Sequence, residues 1–354
     1  MNTLLLDLDA LAARVRAGEA EPLIAEALRE GVVGLLAYAT RDESDQALAD
    51  LRRRLMLEES LRASEMRRVV GVLGEAGIRA VILKGSALAY THYAEPWCRT
   101  RADLDLLVAR TDRVASGRAL AAAGYEPGDL VSGTWVMQQD LWERDLTPGS
   151  THMVDVHVEF TNRAFFARHF PAADGLAHAV PAPFAGPHGW QLDAADALLF
   201  SCVHRVAHHS RDARLIWSSD IARQAARCSE TDIRCLIERA SRHGIAAICA
   251  HELAAARAIW GGHAGAFSDD VIDELGRAGT RDASRAFLAP GRGPVGDLWL
   301  DLRALPSWRA RTRLVLEHLA PPRSFMLRQP GVTLGNLKWR YARRLLAGVW
   351  TWGR

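Results

Sequence analysis

Lysine is almost missing from this 354-residue chain. Of its 44 cationic residues only Lys84 and Lys338 are lysine; the other 42 are arginine. Codon usage in a GC-rich genome accounts for such a bias, and it makes each surviving lysine worth asking about. Cysteine is scarce as well. Cys98, Cys202, Cys228, Cys235 and Cys249 are odd in number and include no Cys-x-x-Cys pair, which argues against a disulfide framework or a structural zinc site. No run of 18 apolar residues occurs. The longest uncharged stretch, residues 175–192, is broken by Pro181, Pro183 and Pro187 and reads as a loop. The N-terminus carries acids where an export signal needs bases. Together these absences point to a cytoplasmic protein with reduced thiols and no transmembrane segment. No repeat of 20–50 residues is visible. The net charge of +2 is too balanced to mark the whole chain as a nucleic-acid binder.

What is present falls into three textures. Residues 1–75 read as helices: Leu4, Leu5, Leu8, Leu11 and Val15 have helical spacing, and a long proline-free amphipathic pattern runs from Ser44 to Leu73. Gly77 stops it. From Arg79 the pattern becomes strand-like. Ala80-Val81-Ile82-Leu83 leads into Lys84-Gly85-Ser86 and a helix; then Ala102 to Val108 reads as a second strand and Asp112 to Ala123 as a helix. Thr134 to Glu143 reads as a strand, the turn Pro148-Gly149-Ser150 follows, and Met153 to Phe160 alternates strictly, so a hairpin is expected. Residues 181–187 look like a connection. Beyond Asp193 four helices are expected, over residues 194–209, 214–228, 231–243 and 246–260.

The strongest chemical signal is Asp103-Leu104-Asp105. Residues two apart on a strand share a face, so both carboxylates project together while Leu104 and Leu106 face the core. Like charges that close raise each other's pKa, and a divalent cation between them removes the penalty. Asp155, with His157 and Glu159 on the same face, supplies a third carboxylate. Three carboxylates on neighbouring strands can hold two Mg²⁺ ions about 3.5–4 Å apart for in-line phosphoryl or nucleotidyl transfer. Gly85 between strand and helix lets backbone approach a phosphate, and Ser86 is the expected helix cap. Arg99 and Arg101 stand on the loop entering the Asp103 strand, within expected reach of phosphate oxygens. Lys84 is expected to contact nucleotide phosphate or to brace the carboxylates, a place for a compact ammonium rather than a guanidinium.

These residues resemble a family. Leu83-Lys84-Gly85-Ser86-Ala87-Leu88, then Tyr93 and Pro96, then Arg99 and Asp103 to Val108, are similar to the uncharacterised bacterial nucleotidyltransferases of the polymerase-β-like superfamily. Asp155 and His157 resemble that family's Asp-x-His segment, and His204, His208, Arg214, Trp217 and Asp220 resemble its paired histidines and Arg…Asp segment. The likeness covers about residues 75–225. It implies that Asp103, Asp105 and Asp155 bind metal and that Gly85 and Ser86 bind nucleotide phosphates. Superfamily members often lack the lysine before the glycine, so Lys84 departs from the wider pattern.

The resulting expectation is an α+β protein: a small mixed β-sheet nucleotidyltransferase core at residues 76–175, N-terminal helices at 1–75, and a C-terminal helical domain at 176–354. The expected reaction is Mg²⁺-dependent, with two ions and Mn²⁺ as an alternative. A nucleoside monophosphate passes from an NTP such as ATP to an acceptor hydroxyl, and pyrophosphate leaves. The acceptor is expected to be a small molecule or natural product of secondary metabolism rather than nucleic acid. The alternatives are a protein-modifying (AMPylation-type) enzyme and a non-catalytic NTP-binding regulatory module. His157, His204, His208, Arg214 and Asp220 are expected as a cleft wall; a zinc site at His204 and His208 is disfavoured because no third ligand has suitable spacing. Glu159 is a weaker candidate for an outer base. Cys98, beside Arg99 and Arg101, is either a thiol of depressed pKa or an incidental small residue. After Glu317 the chain has no acid and seven cations, interleaved with Trp339, Tyr341, Trp350 and Trp352. A packed terminal helix with solvated arginines is the plainer reading of that tail, and contact with an acidic surface the other.

Overall fold

The structure is a computed structural model, and it describes residues 8–128, 137–147, 149–209, 214–261, 268–321, 323–328 and 331–343. Four helices open the chain: α1 (Leu8–Arg16), α2 (Ala20–Arg29), α3 (Val33–Ala39) and the 30-residue α4 (Gln46–Glu75). The side chain of Asp45 caps α4 by accepting the Leu48 amide at 3.0 Å. Gly77, at φ +74, turns the chain out of the helix.

The sheet follows, with strands β1 (Val81–Ile82), β2 (Asp103–Leu107), β3 (Glu126–Pro127), β4 (Gln139–Thr147), β5 (Ser150–His157), β6 (Val180–Pro181) and β7 (Trp190–Gln191). Their spatial order is β3-β4-β5-β2-β1-β7-β6. Helix α5 (Lys84–Thr91) leaves β1 at once, and α6 (Arg113–Ala122) follows β2. The expected hairpin is present: β4 and β5 pair antiparallel, with Gly149 at φ +82 in the turn. Strand β4 runs from Gln139; the expected start at Thr134 lies outside the described residues, as does Pro148. The expected connection at 181–187 does more than connect, because β6 and β7 pair there and β7 joins β1 in parallel.

Beyond the sheet lie α7 (Ala164–His169), α8 (Ala172–His178), α9 (Ala194–His208), α10 (Leu215–Ala225), α11 (Glu230–Arg242), α12 (Ala246–Trp260) and α13 (Asp269–Ala278), then α14 (Pro294–Ala304), α15 (Trp308–Leu319) and α16 (Arg323–Arg328). The four helices expected after Asp193 are thus α9 to α12. No helix among the described residues is long and apolar enough to cross a membrane.

Two apolar cores sandwich the sheet. On one side Leu104, Leu106, Val154 and Val156 pack with Met66, Val69 and Leu73 of α4 and Leu120 of α6. On the other a larger core joins Leu36 and Leu51 of the first helices, Leu88 and Phe160, and Leu198, Ile221, Leu236 and Ile248 of α9 to α12. The N-terminal and C-terminal helices therefore share one core, and the sheet's second face looks into it. Alternation sends Leu104 and Leu106 one way and Asp103, Asp105 and Leu107 the other, toward the helical side.

Candidate active site

Register brings the carboxylates together. Strands β2 and β5 run parallel, and Asp105 lies directly opposite Asp155, with Leu107 opposite His157. His157 Nε2 contacts Asp105 Oδ1 at 2.8 Å, and Lys84 Nζ donates to the same oxygen at 2.7 Å. Asp105 is 4 % exposed. Asp155 Oδ2 accepts from Gln139 Nε2 at 2.9 Å, while its Oδ1 is buried and has no partner among the described residues. One ligand atom each from Asp105, Asp155 and His157 lie within 4.8 Å of one another. Asp103 lines the same cavity, outside that group of three.

Electrostatics separates the three carboxyls. Asp105 raises Asp103 to about 6, with burial adding to the effect. Burial first, then the charges of Asp105 and Asp103, push Asp155 up to about 7. Asp105 itself is held well below the ordinary carboxylate range, because Lys84 and His157 outweigh its burial. Burial lowers His157, so its ring is neutral and donates from Nε2 to the carboxylate. A crowded oxygen-rich set with an orphaned carboxylate oxygen suits a hard divalent cation. The residues present therefore fit the metal that the sequence implies.

Local backbone explains Lys84. Among the described residues it is the one non-glycine at positive φ, +50. Helix α5 starts at Lys84 itself, so Ser86 is not its cap as expected; Ser86 is buried and its hydroxyl donates to the Asp103 carbonyl at 3.2 Å. Gly85 is needed for a different reason from a bare phosphate approach. A Cβ there would stand 3.1 Å from Cζ and Nη1 of Arg99.

Arg99 and Arg101 both line the cavity, but each is already paired. Arg99 is buried and clamps both oxygens of Asp220 through Nε and Nη2 at 2.7–3.1 Å, while Tyr93 donates its hydroxyl to Asp220 at 2.6 Å. Arg101 donates to both oxygens of Glu59 at 2.8 Å. Asp220 thus belongs behind the wall, holding Arg99, and not on its surface. Glu159 is outside the site: it pairs with Arg110 at 2.8 Å and accepts the Ala172 amide, since β5 has ended at His157. The Cys98 thiol is buried and pushed up to about 11, which contradicts a depressed pKa.

The cavity above these groups has a volume of about 650 Å³. Its far wall is made by α9 and the start of α10, where His204, His208, His209, Arg214 and Trp217 line it together. His209 stacks on Trp217 with ring centroids 4.1 Å apart and meets His204 Nε2 at 3.2 Å. Arg214 lies over the same indole. Burial keeps His204 far below its ordinary value and takes His208 down to about 3, so these two imidazoles are neutral beside the Arg214 guanidinium. No zinc-type cluster forms there among the described residues. The second metal-capable group, His178, Asp193 and Asp196, already holds the guanidinium of Arg239 at 2.8 and 2.9 Å.

A family model described as an uncharacterised nucleotidyltransferase matches residues 7–261. The chain belongs to this nucleotidyltransferase family. Both walls and the whole carboxylate floor lie inside the matched residues, and membership supports transferase activity. No match is found among curated proteins. Several residues in and around this cavity carry no signal in the sequence. Glu59 reads there as one more polar position on α4, and the Gln139–Asn162 pair, which lines the cavity and holds Asp155 through Gln139, falls in an unremarkable stretch. His209 had a signal, its adjacency to His208.

Proposed function

We propose that this chain transfers a nucleoside monophosphate from an NTP to the hydroxyl of a small molecule, releasing pyrophosphate, with Mg²⁺ held by Asp103, Asp105 and Asp155. The observation that carries this reading is the placement of Asp105 opposite Asp155 on adjacent parallel strands, with Asp105 and Asp103 lining the cavity. A bound divalent ion would neutralise the triphosphate and lower the pKa of the attacking hydroxyl.

The chain's own residues do the rest. Lys84 and His157 fix the Asp105 carboxylate through one oxygen, leaving the other for a cation. The Oδ1 of Asp155, unpartnered among the described residues, is left for the same cation; as the acceptor oxygen bonds to the α-phosphorus its proton passes to solvent, and the bond to pyrophosphate breaks. The first amides of α5, at Gly85 and Ser86, point donors toward phosphate oxygens. Arg99 and Arg101, already charge-paired, shape the phosphate path rather than supply free charge. The neutral wall of His204, His208 and Trp217 suits the uncharged part of the nucleotide or acceptor. A cavity of about 650 Å³ matches small-molecule sites, and the chain before the tail is net acidic, which disfavours nucleic acid as acceptor. We place the reaction in the cytoplasm.

The test is incubation with Mg²⁺, a cell extract and the four NTPs labelled at the α-phosphate. Label should move to a low-molecular-mass acceptor and vanish in Asp103→Asn. Equal labelling by wild type and variant, or none by either, contradicts the reading; label on a polypeptide makes the acceptor a protein.

A further inference from the structure

The family match stops at residue 261, and the chain beyond it has a surface of a different character. From Ala289 to Arg354 there are twelve cationic and three acidic residues, although the whole chain is only +2. Half of the large apolar side chains exposed among the described residues also lie here: Val295, Trp299, Trp308, Leu316, Leu334 and Trp339. The three tryptophans are 53 %, 71 % and 59 % exposed.

Helical spacing arranges them. On α14, Val295, Trp299 and Arg303 follow one another at steps of four, and the Arg303 guanidinium lies 4.5 Å from the Trp299 ring centre. On α15, Trp308 and Leu316 are two turns apart on one side, while Ala310 and Leu314 turn inward. Arg309 lies over Trp308, and Arg340 and Arg343 over Trp339. Among the described residues, each exposed tryptophan of the segment therefore carries an arginine on its face. The inward faces are accounted for. Leu305, Ala310 and Leu314 pack on Ala164 of α7, Asp301 accepts the Phe165 amide at 3.0 Å, and Arg163 pairs with Asp301 at 3.2 Å. Helices α14 and α15 are thus anchored to the body of the protein by α7, and the Tyr341 hydroxyl ties residues 331–343 back to the Pro321 carbonyl at 2.6 Å.

We propose that the outward face of α14, α15 and residues 331–343 binds an anionic membrane surface. Indole rings settle at the headgroup level, exposed leucine and valine enter the acyl boundary, and arginines reach lipid phosphates while their stems stay on apolar surface. Attraction of clustered arginines to acidic lipid adds to this. A nucleic acid would also use the arginines and rings, but it gives Val295, Leu316 and Leu334 nothing to bury against. The proposal is independent of the reaction proposed above, because none of these residues lines the catalytic cavity.

The experiment is co-sedimentation of the full chain with vesicles of phosphatidylcholine alone and of phosphatidylcholine with phosphatidylglycerol. Binding should require phosphatidylglycerol and weaken as salt rises. Brominated acyl chains should quench part of the tryptophan fluorescence. The triple variant Trp299→Ser, Trp308→Ser, Trp339→Ser keeps every charge and changes only exposed rings, so its thermal melting should match wild type; its vesicle affinity should fall at least about tenfold. Equal binding to both vesicle types overturns the proposal. So does unchanged binding or quenching in the triple variant. Tighter, tryptophan-dependent binding to single-stranded DNA than to the acidic vesicles also overturns it and makes the partner a nucleic acid.

Discussion

The floor and the far wall of the cavity are both crowded with buried ionisable groups, yet they answer the cost of burial differently. On the floor, Asp103 is raised toward neutrality, as is Asp155 beside Asp105, neither fully discharged, and Asp105 stays ionised because Lys84 sits on it. On the wall, His204 and His208 simply lose their protons. A group that gives up its charge needs no partner. A set of carboxylates that half keeps its charge is incomplete without a cation. Charge-dependent chemistry therefore belongs to the carboxylate side of the cavity, and the imidazole side shapes it.

Replacing a floor carboxylate should break the comparison most severely. Asp155→Asn should cost roughly a thousandfold in turnover, the scale expected when a reacting-centre charge is removed. It should also raise metal-free melting temperature, because a repulsive buried charge is gone. A variant that lost activity and stability together would point to a structural role. Next comes the brace behind the wall. Asp220→Ala leaves the Arg99 guanidinium buried and unpaired and should destabilise by about 3–5 kcal/mol, read by chemical denaturation.

Lys84→Arg tests the floor's resident cation. The broader guanidinium cannot repeat a single short contact to Asp105 Oδ1 from a backbone at φ +50. NTP affinity or turnover should fall by roughly tenfold, about 1.4 kcal/mol, and wild-type behaviour would remove Lys84 from the mechanism.

A pH series sharpens the contrast with a smaller effect. Asp103 and Asp155 have pKa values raised above their unfolded ones, to about 6 and about 7. The folded state therefore binds more protons than the unfolded state from about pH 4 to about pH 7, and metal-free stability contributed by these groups should decline as pH rises through that window. Saturating Mg²⁺ should reverse the slope, and Asp155→Asn should flatten much of it in either condition. The smallest effect is expected at the wall. His208→Gln exchanges one neutral polar group for another and should leave the pH–rate profile between pH 5 and 8 in place; a shifted limb would show that the imidazole titrates in the reaction.

The floor was legible in the sequence because a strand has a period of two. Asp103 and Asp105 had to share a face, and the alternation around Asp155 put it on a matching one. The register that sets Asp105 opposite Asp155 needed the structure. So did the partners of Arg99 and Arg101, which come from positions 121 and 42 residues away. From sequence both looked like free phosphate ligands, and a local reading has no access to a distant carboxylate that neutralises them. Ser86 looked like a cap because caps are local, but the left-handed Lys84 begins the helix two residues earlier. The composition does mark Lys84, since it is one of only two lysines in an arginine-rich chain.

The central claim is that Asp103, Asp105 and Asp155 form a divalent-cation site that serves an NTP. Isothermal titration of the full chain with a non-hydrolysable NTP, with and without Mg²⁺, tests it most directly. Binding should be strong only with Mg²⁺ and should disappear in Asp105→Asn while that variant's far-ultraviolet circular dichroism stays unchanged. Equal NTP binding without Mg²⁺, or in folded Asp105→Asn, would contradict it.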